Sequence, residues 1–520
     1  MNAAIIQNPW PTYVVLLLSC FITMEASAFQ APAIPSIARH FEVSAGLSAM
    51  ISLIYYLGVI VFSPISGRLA DSFGRKRMLV IGLSVFAASE FLAALVTNFS
   101  MLLVARFVQG ACVGCILPCV LSYAGYLFPP QKRGMPLGVL VFAMGLGATT
   151  GALIGGYLID WLGWRSIYWV SGVLALVGLV VLQWRVPETP TSSDPYRLDW
   201  KGAVLLLIAV GAFLSFPTWI GRFGFVSWQA LTALGVGLIG FAVLWLLEQK
   251  TEVPVLDIGI LRQRNFIVPG LLYLLFLIVY GGTIYSLVFF VNDRPGGSAS
   301  HGGMITMFTY GASMLAGLIS GKLVDRFNER SVILGIVALM TCGLWLYTTL
   351  ATDTPLWFVA FIATVLGFGQ GMKGPAITKL AMSTLPPNRM SAGSGLFSMM
   401  RDFGTPLGVS IGLALYGATV EKGTEATVLD RMRELGVEDH LLPMASQALA
   451  SKGAAIAVEL QERLTALGTD FSTVLALSKV DGMAGALPEV GGMLFGVLFL
   501  AMVLALFLPK RGLALGEAKA

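Results

Sequence analysis

Six charged residues stand inside runs that are otherwise apolar: Glu25, Glu90, Arg106, Lys373, Arg401 and Asp402. A charge in hydrocarbon costs several kcal/mol unless it faces a cavity or a partner, so these positions are the first candidates for chemistry. Glu25 lies deep in the first apolar run, with Ser27 and Gln30 after it and Pro32 and Pro35 expected to break the helix beyond. A carboxylic acid in a low dielectric resists ionising and can trade protons near neutral pH. The same group can pair with a cationic solute, and it cannot do both at once. That exclusion is a physical basis for exchanging cargo against protons; the plain alternative is an acid hydrogen-bonded for structure. Glu90, midway along the third run, is either a second titrating group or the partner of Arg106 on the fourth. Arg106 opens the string Arg-Phe-Val-Gln-Gly, which brings Gln109 and Gly110. An arginine keeps its charge everywhere, so it can hold or release a nearby acid's proton as helices move, or form a static ion pair.

The second half carries Lys373, Arg401 and Asp402. Lys373, near the end of its run, is expected to snorkel to the membrane surface. Arg401 lies too deep for that, so it either pairs with an acid or binds an anionic group. Asp402 is adjacent but about 100° round a helix, and is expected to face elsewhere. Glu25, Gln30, Gln109 and Arg401 are therefore the candidate substrate contacts, and Glu25, Glu90 and Arg106 the candidates for proton coupling. No enzyme constellation is visible: His40, His301 and His440 are isolated, and there is no P-loop and no metal-ligand spacing. Neither ATP, a metal nor another cofactor is expected; the energy source would be a proton gradient. Cys112, Cys115 and Cys119 share one helical face, but all five cysteines fall in apolar runs, so packing is favoured over soft-metal binding and no disulfide framework is expected.

The elements that hold these groups must be membrane helices. Of the 520 residues 56% are hydrophobic and 12% charged, with a mean hydropathy of +0.81. Soluble domains carry roughly a quarter charged residues, so this chain needs lipid as its solvent. Its basic residues sit in short loops and not on one patch, which speaks against nucleic acid. Runs of about twenty apolar residues predict about fourteen spans. The first is expected over 11–34, the thirteenth over 392–416 and the last over 490–508. On one face the loops carry twenty lysines and arginines; the short loops of the other carry four, Arg39, Arg165, Arg222 and Arg294. That bias puts the basic face and both termini in the cytoplasm. Residues 417–489 are too polar to span, and their helical spacing predicts an outer-face cap of short amphipathic helices joined near Pro443; the plain alternative is a loosely ordered loop.

Between the second and third runs lies Gly67–Arg77, reading Gly-Arg-Leu-Ala-Asp-Ser-Phe-Gly-Arg-Lys-Arg. Gly67 and Gly74 permit a tight reversal, and Asp71 can pair with Arg75 or with the next helix N-terminus. A related string recurs at Gly321–Phe327, with Asp325 in the place of Asp71, as expected of two homologous halves. Gly147, Gly151 and Gly155 recur every four residues, with Gly156 following; such a face lets helix backbones approach closely. Gly67–Arg77 resembles the signature loop of the major facilitator superfamily. Arg106, Gln109 and Gly110 resemble its fourth-span motif, and Gly147–Gly156 its antiporter motif, with Ala152 where proline is usual. With about fourteen spans, the chain is similar to the drug:proton antiporters of the EmrB/QacA-like group. That family usually has an aspartate in a Leu-Asp-x-Thr pattern where this chain has Met24-Glu25-Ala26-Ser27.

The resemblance implies an all-α polytopic membrane protein with two six-helix bundles, 1–185 and 266–508, and two extra central helices within 186–265. The second bundle would carry the outer-face loop domain 417–489, and 509–520 would be a cytoplasmic tail. It implies a proton-coupled exporter of a small amphipathic molecule in the bacterial inner membrane. Gly67, Asp71, Gly74, Arg75 and Asp325 would form a conformational latch. A periplasmic adaptor and an outer-membrane channel would be partners in a Gram-negative host. The alternatives are an exporter of an anionic metabolite or siderophore held by Arg401 and Lys373, and a non-transporting receptor or scaffold working through the 417–489 cap.

Overall fold

The computed structural model describes residues 8–128, 134–188, 199–224, 226–251, 258–382, 390–450, 458–467 and 469–508. Among the described residues fourteen helices are long and apolar enough to cross a membrane. The first bundle comprises α1 (Trp10–Ala28), α2 (Gln30–His40), α3 (Ala45–Ser48), α4 (Met50–Phe73), α5 (Arg75–Leu95), α6 (Phe99–Leu127), α7 (Gly134–Leu162) and α8 (Arg165–Arg185). An extra pair follows, α9 (Trp200–Phe223) and α10 (Trp228–Glu248), then the single turn α11 (Ile258–Leu261). The second bundle comprises α12 (Arg264–Asp293), α13 (Ala299–Arg326), α14 (Glu329–Thr348), α15 (Leu356–Met382), α16 (Met390–Glu434) and α19 (Phe471–Leu506). Between the last two lie α17 (Leu442–Ala450) and α18 (Val458–Ala466).

The first span runs further than 11–34. It breaks at Phe29 and resumes as α2 up to His40, with Pro35 inside that second piece. Pro32 has no N–H to give the Ala28 carbonyl, which explains a break there rather than an ending. The reversal after α4 is made at Gly74, whose φ of 98° suits glycine, whereas Gly67 lies inside the helix. Helix starts are capped by side chains: Asn98 Oδ1 accepts from Met101 N at 2.9 Å, and Asp199 Oδ1 from Gly202 N at 2.9 Å. Helix α9 lies between the bundles, with Gly211 against Leu57 of α4 and Gly221 against Ala414 of α16. Helix α10 packs on α9 through Gly240 and Ala209.

The expected ends of the last two spans need correction. Helix α16 passes Gly417 without a break and ends at Glu434, and α19 starts at Phe471 instead of 490. Both leave the membrane as unbroken rods. With α17 and α18 they enclose a separate apolar core of Val428, Met432, Leu441, Leu460, Leu464 and Phe471. The extramembrane ends can stay helical because that core gives their apolar stripe something to bury against.

Candidate functional site

Helix α7 turns Gly147, Gly151 and Gly155 onto α1. A methyl group added at Gly147 would stand 2.6 Å from the Phe21 carbonyl oxygen. At Gly151 it would stand 2.7 Å from the carbonyl oxygen of Glu25 and 3.0 Å from its Cγ, and at Gly155 it would strike the Phe29 ring. Backbone therefore meets backbone along this seam, and Glu25 is seated in it. Its side chain is buried, and Oε2 has no hydrogen-bond partner. Gly156 points the other way, where a Cβ would lie 2.6 Å from the Ala299 carbonyl of α13, and Gly303 returns the contact against Ala152 and Gly156. One helix thus touches both the acid-bearing α1 and the opposite bundle.

A polar network lies beside that seam. Arg106 donates from Nη1 to Gln109 Oε1 and from Nη2 to Gln30 Oε1, each at 2.6 Å. Gln30 Nε2 donates to Ser52 Oγ at 3.1 Å, and Gln109 Nε2 to the Ser89 carbonyl at 3.3 Å. The guanidinium sits 4.4 Å from the Tyr55 ring centroid, and the Tyr55 hydroxyl bonds to Ser27. Tyr285 of α12 reaches Ser52 from the second bundle. Arg106, Gln30, Gln109 and Glu90 are all buried. Arg106 forms an ion pair with neither Glu25 nor Glu90: two neutral amides hold it, and Glu90 Oε1 has no hydrogen-bond partner. The sequence placed Arg106 and Gln109 together on one helix, Gln30 joins them only in the fold, and of the two readings of Glu90 the ion pair with Arg106 is not formed.

Arg401 stands apart from this network, in the second bundle. Its Nε and Nη2 donate to Asp402 Oδ1 and Oδ2 at 2.7 and 3.2 Å. Asp402 therefore does not face elsewhere, because a long guanidinium arm folds along the helix onto its neighbour's carboxylate. Nor does Lys373 snorkel. It is 1% exposed, its ammonium bonds to Gln370, and its Nζ lies 4.7 Å from the Tyr273 ring centroid.

At the basic face, Glu188 lies against the start of α5. Its Oε1 accepts from Lys76 N at 3.2 Å, and Arg77 approaches Oε2 at 3.9 Å. Lys76 Nζ donates to the Gln183 carbonyl at 2.9 Å, and Arg75 lies 6.0 Å from the Tyr126 ring centroid. Asp71 and Asp325 fall in α4 and α13, and their side chains lie outside the described residues. At the opposite face, Asp160 at the end of α7 accepts from the backbone N–H of Ala299 at 2.9 Å and of Ser300 at 2.8 Å. A carboxylate of the first bundle thus caps α13 of the second. Arg39 pairs with Asp293 at 3.5 Å, and Lys479 of α19 with the same carboxylate at 3.0 Å.

The sequence reading missed Ser52, Tyr55, Asp160 and Glu188, which carry no local pattern. It also missed a second glycine stripe that was visible. Gly404, Gly408 and Gly412 of α16 pack on Leu274, Ile278 and Gly282 of α12. Among the described residues no group of three His, Cys, Asp or Glu side chains is arranged to hold a metal ion.

The Major Facilitator Superfamily profile matches residues 16–409. Multidrug resistance protein 3 of Bacillus subtilis is 27% identical over 374 residues, 70% of this chain and 71% of that protein. Multidrug resistance protein Stp of Mycobacterium tuberculosis is 28% identical over 415 residues, 79% of this chain and 76% of that protein. Among solved structures, a bacterial homologue of the human lysosomal transporter Spinster, in an inward-facing and unoccupied conformation, superposes with a TM-score of 0.62. It is 14% identical, with 97% of this chain and 98% of that one covered. With its helices, its paired glycine seams and its sequence all agreeing, this chain belongs to the Major Facilitator Superfamily and is a multi-pass membrane transporter.

Proposed function

We propose that the protein is a proton-coupled antiporter exporting small amphipathic compounds, cationic or of multidrug type, by alternating access. The observation that carries this reading is Glu25, a buried carboxylate with a free oxygen, seated on the glycine seam of the helix that also touches the other bundle. Such an acid holds either a proton or a cationic cargo, so the arrival of one is the release of the other. Arg106 tunes it: freed from Gln30 and Gln109 by a helix movement, the guanidinium can stabilise the ionised acid. Glu90, also buried with an unpartnered oxygen, is a second proton station. The names of the multidrug-resistance relatives support a drug-type cargo.

In this reading the basic face is cytoplasmic, both termini lie inside, and the membrane is the bacterial plasma membrane. Gly67, Asp71, Gly74, Arg75 and Asp325 latch the cytoplasmic ends, with Glu188 supporting the loop. Asp160 and the Arg39–Asp293 pair close the outer ends. One proton crossing 100 mV supplies about 2.3 kcal/mol, enough to drive useful accumulation. In a Gram-negative host an adaptor and an outer-membrane channel would meet the cap.

The test is Glu25→Gln in everted vesicles loaded by a proton gradient. Dye transport and substrate-induced proton release should both vanish while the purified variant keeps the wild-type unfolding temperature. Full transport by a folded variant removes Glu25 from the mechanism.

A further inference from the structure

The second bundle carries a charge arrangement that the proton–cargo exchange at Glu25 does not use. Lys373 is buried, and its three donors find only the side chain and carbonyl of Gln370 and the face of Tyr273. Among the described residues no carboxylate pairs with it. Asp402, the acid in this part of the bundle, is held in a two-point bond by Arg401. Among the described residues the one carboxylate thus serves Arg401, and none serves Lys373. In the first bundle the balance is reversed, with Glu25 and Glu90 against Arg106. A buried ammonium without a counter-ion is costly, by several kcal/mol in real proteins, and a site that keeps one is short of an anion.

The location fits a ligand group. Gly367 and Gly371 of α15 meet Thr309 and Ser313 of α13, as Gly110 and Gly114 of α6 meet Tyr55 and Val59 of α4. By that correspondence Arg106 falls at Ala363 in the second half, and Lys373 lies ten positions further along, about 15 Å nearer the basic face. Tyr273, Gln370, Arg401 and Asp402 are each only partly buried, in contrast to the fully buried network at Arg106.

We propose that Lys373, framed by Tyr273 and Gln370 and backed by Arg401, receives a carboxylate carried by the exported amphipathic molecule. Its other, cationic end lies toward Glu25. This rests on the exporter reading and narrows it to zwitterions, cationic molecules that also carry a carboxylate. Tyr273 supplies a flat apolar wall, and Lys373 gains the counter-ion it lacks.

The test compares a rhodamine bearing a free carboxylate with the same dye as its methyl ester. Both are titrated by fluorescence anisotropy against the full-length protein in phosphatidylcholine nanodiscs, which contain no anionic lipid. The wild type should bind the carboxylate about tenfold more tightly than the ester, the scale of one charge-assisted bond. Lys373→Met should bind the two dyes alike, and Lys373→Arg should keep the preference. Equal affinities in the wild type, no binding of the carboxylate dye, or a preference that survives Lys373→Met would overturn the proposal. The wild-type comparison alone decides the matter if Lys373→Met does not fold. Glu25→Gln should keep the preference; if it also keeps transport, the exporter mechanism fails while the carboxylate site stands.

Discussion

In the first bundle the glycines 147, 151 and 155 close on Phe21, Glu25 and Phe29; in the second, 404, 408 and 412 close on Leu274, Ile278 and Gly282. The backbone solution is repeated and the chemistry is not. Where α1 offers a carboxylate to the seam, α12 offers an isoleucine. Where α6 has Arg106, the matching position of α15 is Ala363. Close helix contact in lipid needs small residues in both halves, so that constraint is inherited twice. Buried charge costs several kcal/mol per group and is placed only where it is used. Matching seams with unmatched charges describe a scaffold of two similar bodies, the first carrying Glu25, Glu90 and Arg106 and the second Lys373, Arg401 and Asp402 at other levels.

The largest test of this comparison is steric. Gly151→Val and Gly408→Val each drive carbon into the backbone of the facing helix, and overpacking costs about 1–3 kcal/mol or more. Both should lower the unfolding temperature in detergent by several degrees and abolish transport. A Gly408→Val protein as stable and active as the wild type would break the equivalence of the seams.

A smaller effect separates the two arginines. Arg106→Lys loses the fork that holds Gln30 and Gln109 together, and should reduce transport about tenfold or more. Arg401→Lys can keep a single bond to Asp402 and should reduce it only a few-fold. Initial rates of dye efflux from matched vesicles would show it; equal losses would mean that both halves depend on their arginine alike.

The smallest effect concerns the contact between the halves. Asp160→Asn weakens two charge-assisted bonds to the start of α13. It should shift the balance of states by a factor of about two, within the usual range for such caps. A cysteine introduced near Gly163 and probed with a membrane-impermeant thiol reagent should then react faster. An unchanged rate would mean that the cap does not bias the equilibrium.

Much of the fold is legible in the sequence. The spans follow from apolar runs of membrane length, and the Gly147 stripe from its spacing, because both signals are local. Arg106 and Gln109 stand three residues apart, so their meeting on one helix face was expected, while Gln30 is 76 positions away and no pattern links it to them. The failures have physical causes. The ends of α16 and α19 look too polar to be part of a span, and they are helical because a distant core covers them. Arg401 and Asp402 were separated by helix geometry taken at the Cβ atoms, which ignores the reach of a long side chain. Lys373 was sent to the surface by a rule for helix ends, and it points inward, where Gln370 and Tyr273 receive it.

The unbroken rods of α16 and α19 give the cap a use as an instrument. A helix of 45 residues is about 68 Å long, so any tilt of the second bundle is carried outward and enlarged at its far end. A fluorophore attached beside Glu434, paired with one on the first bundle, would turn each turnover into a distance change readable on single molecules.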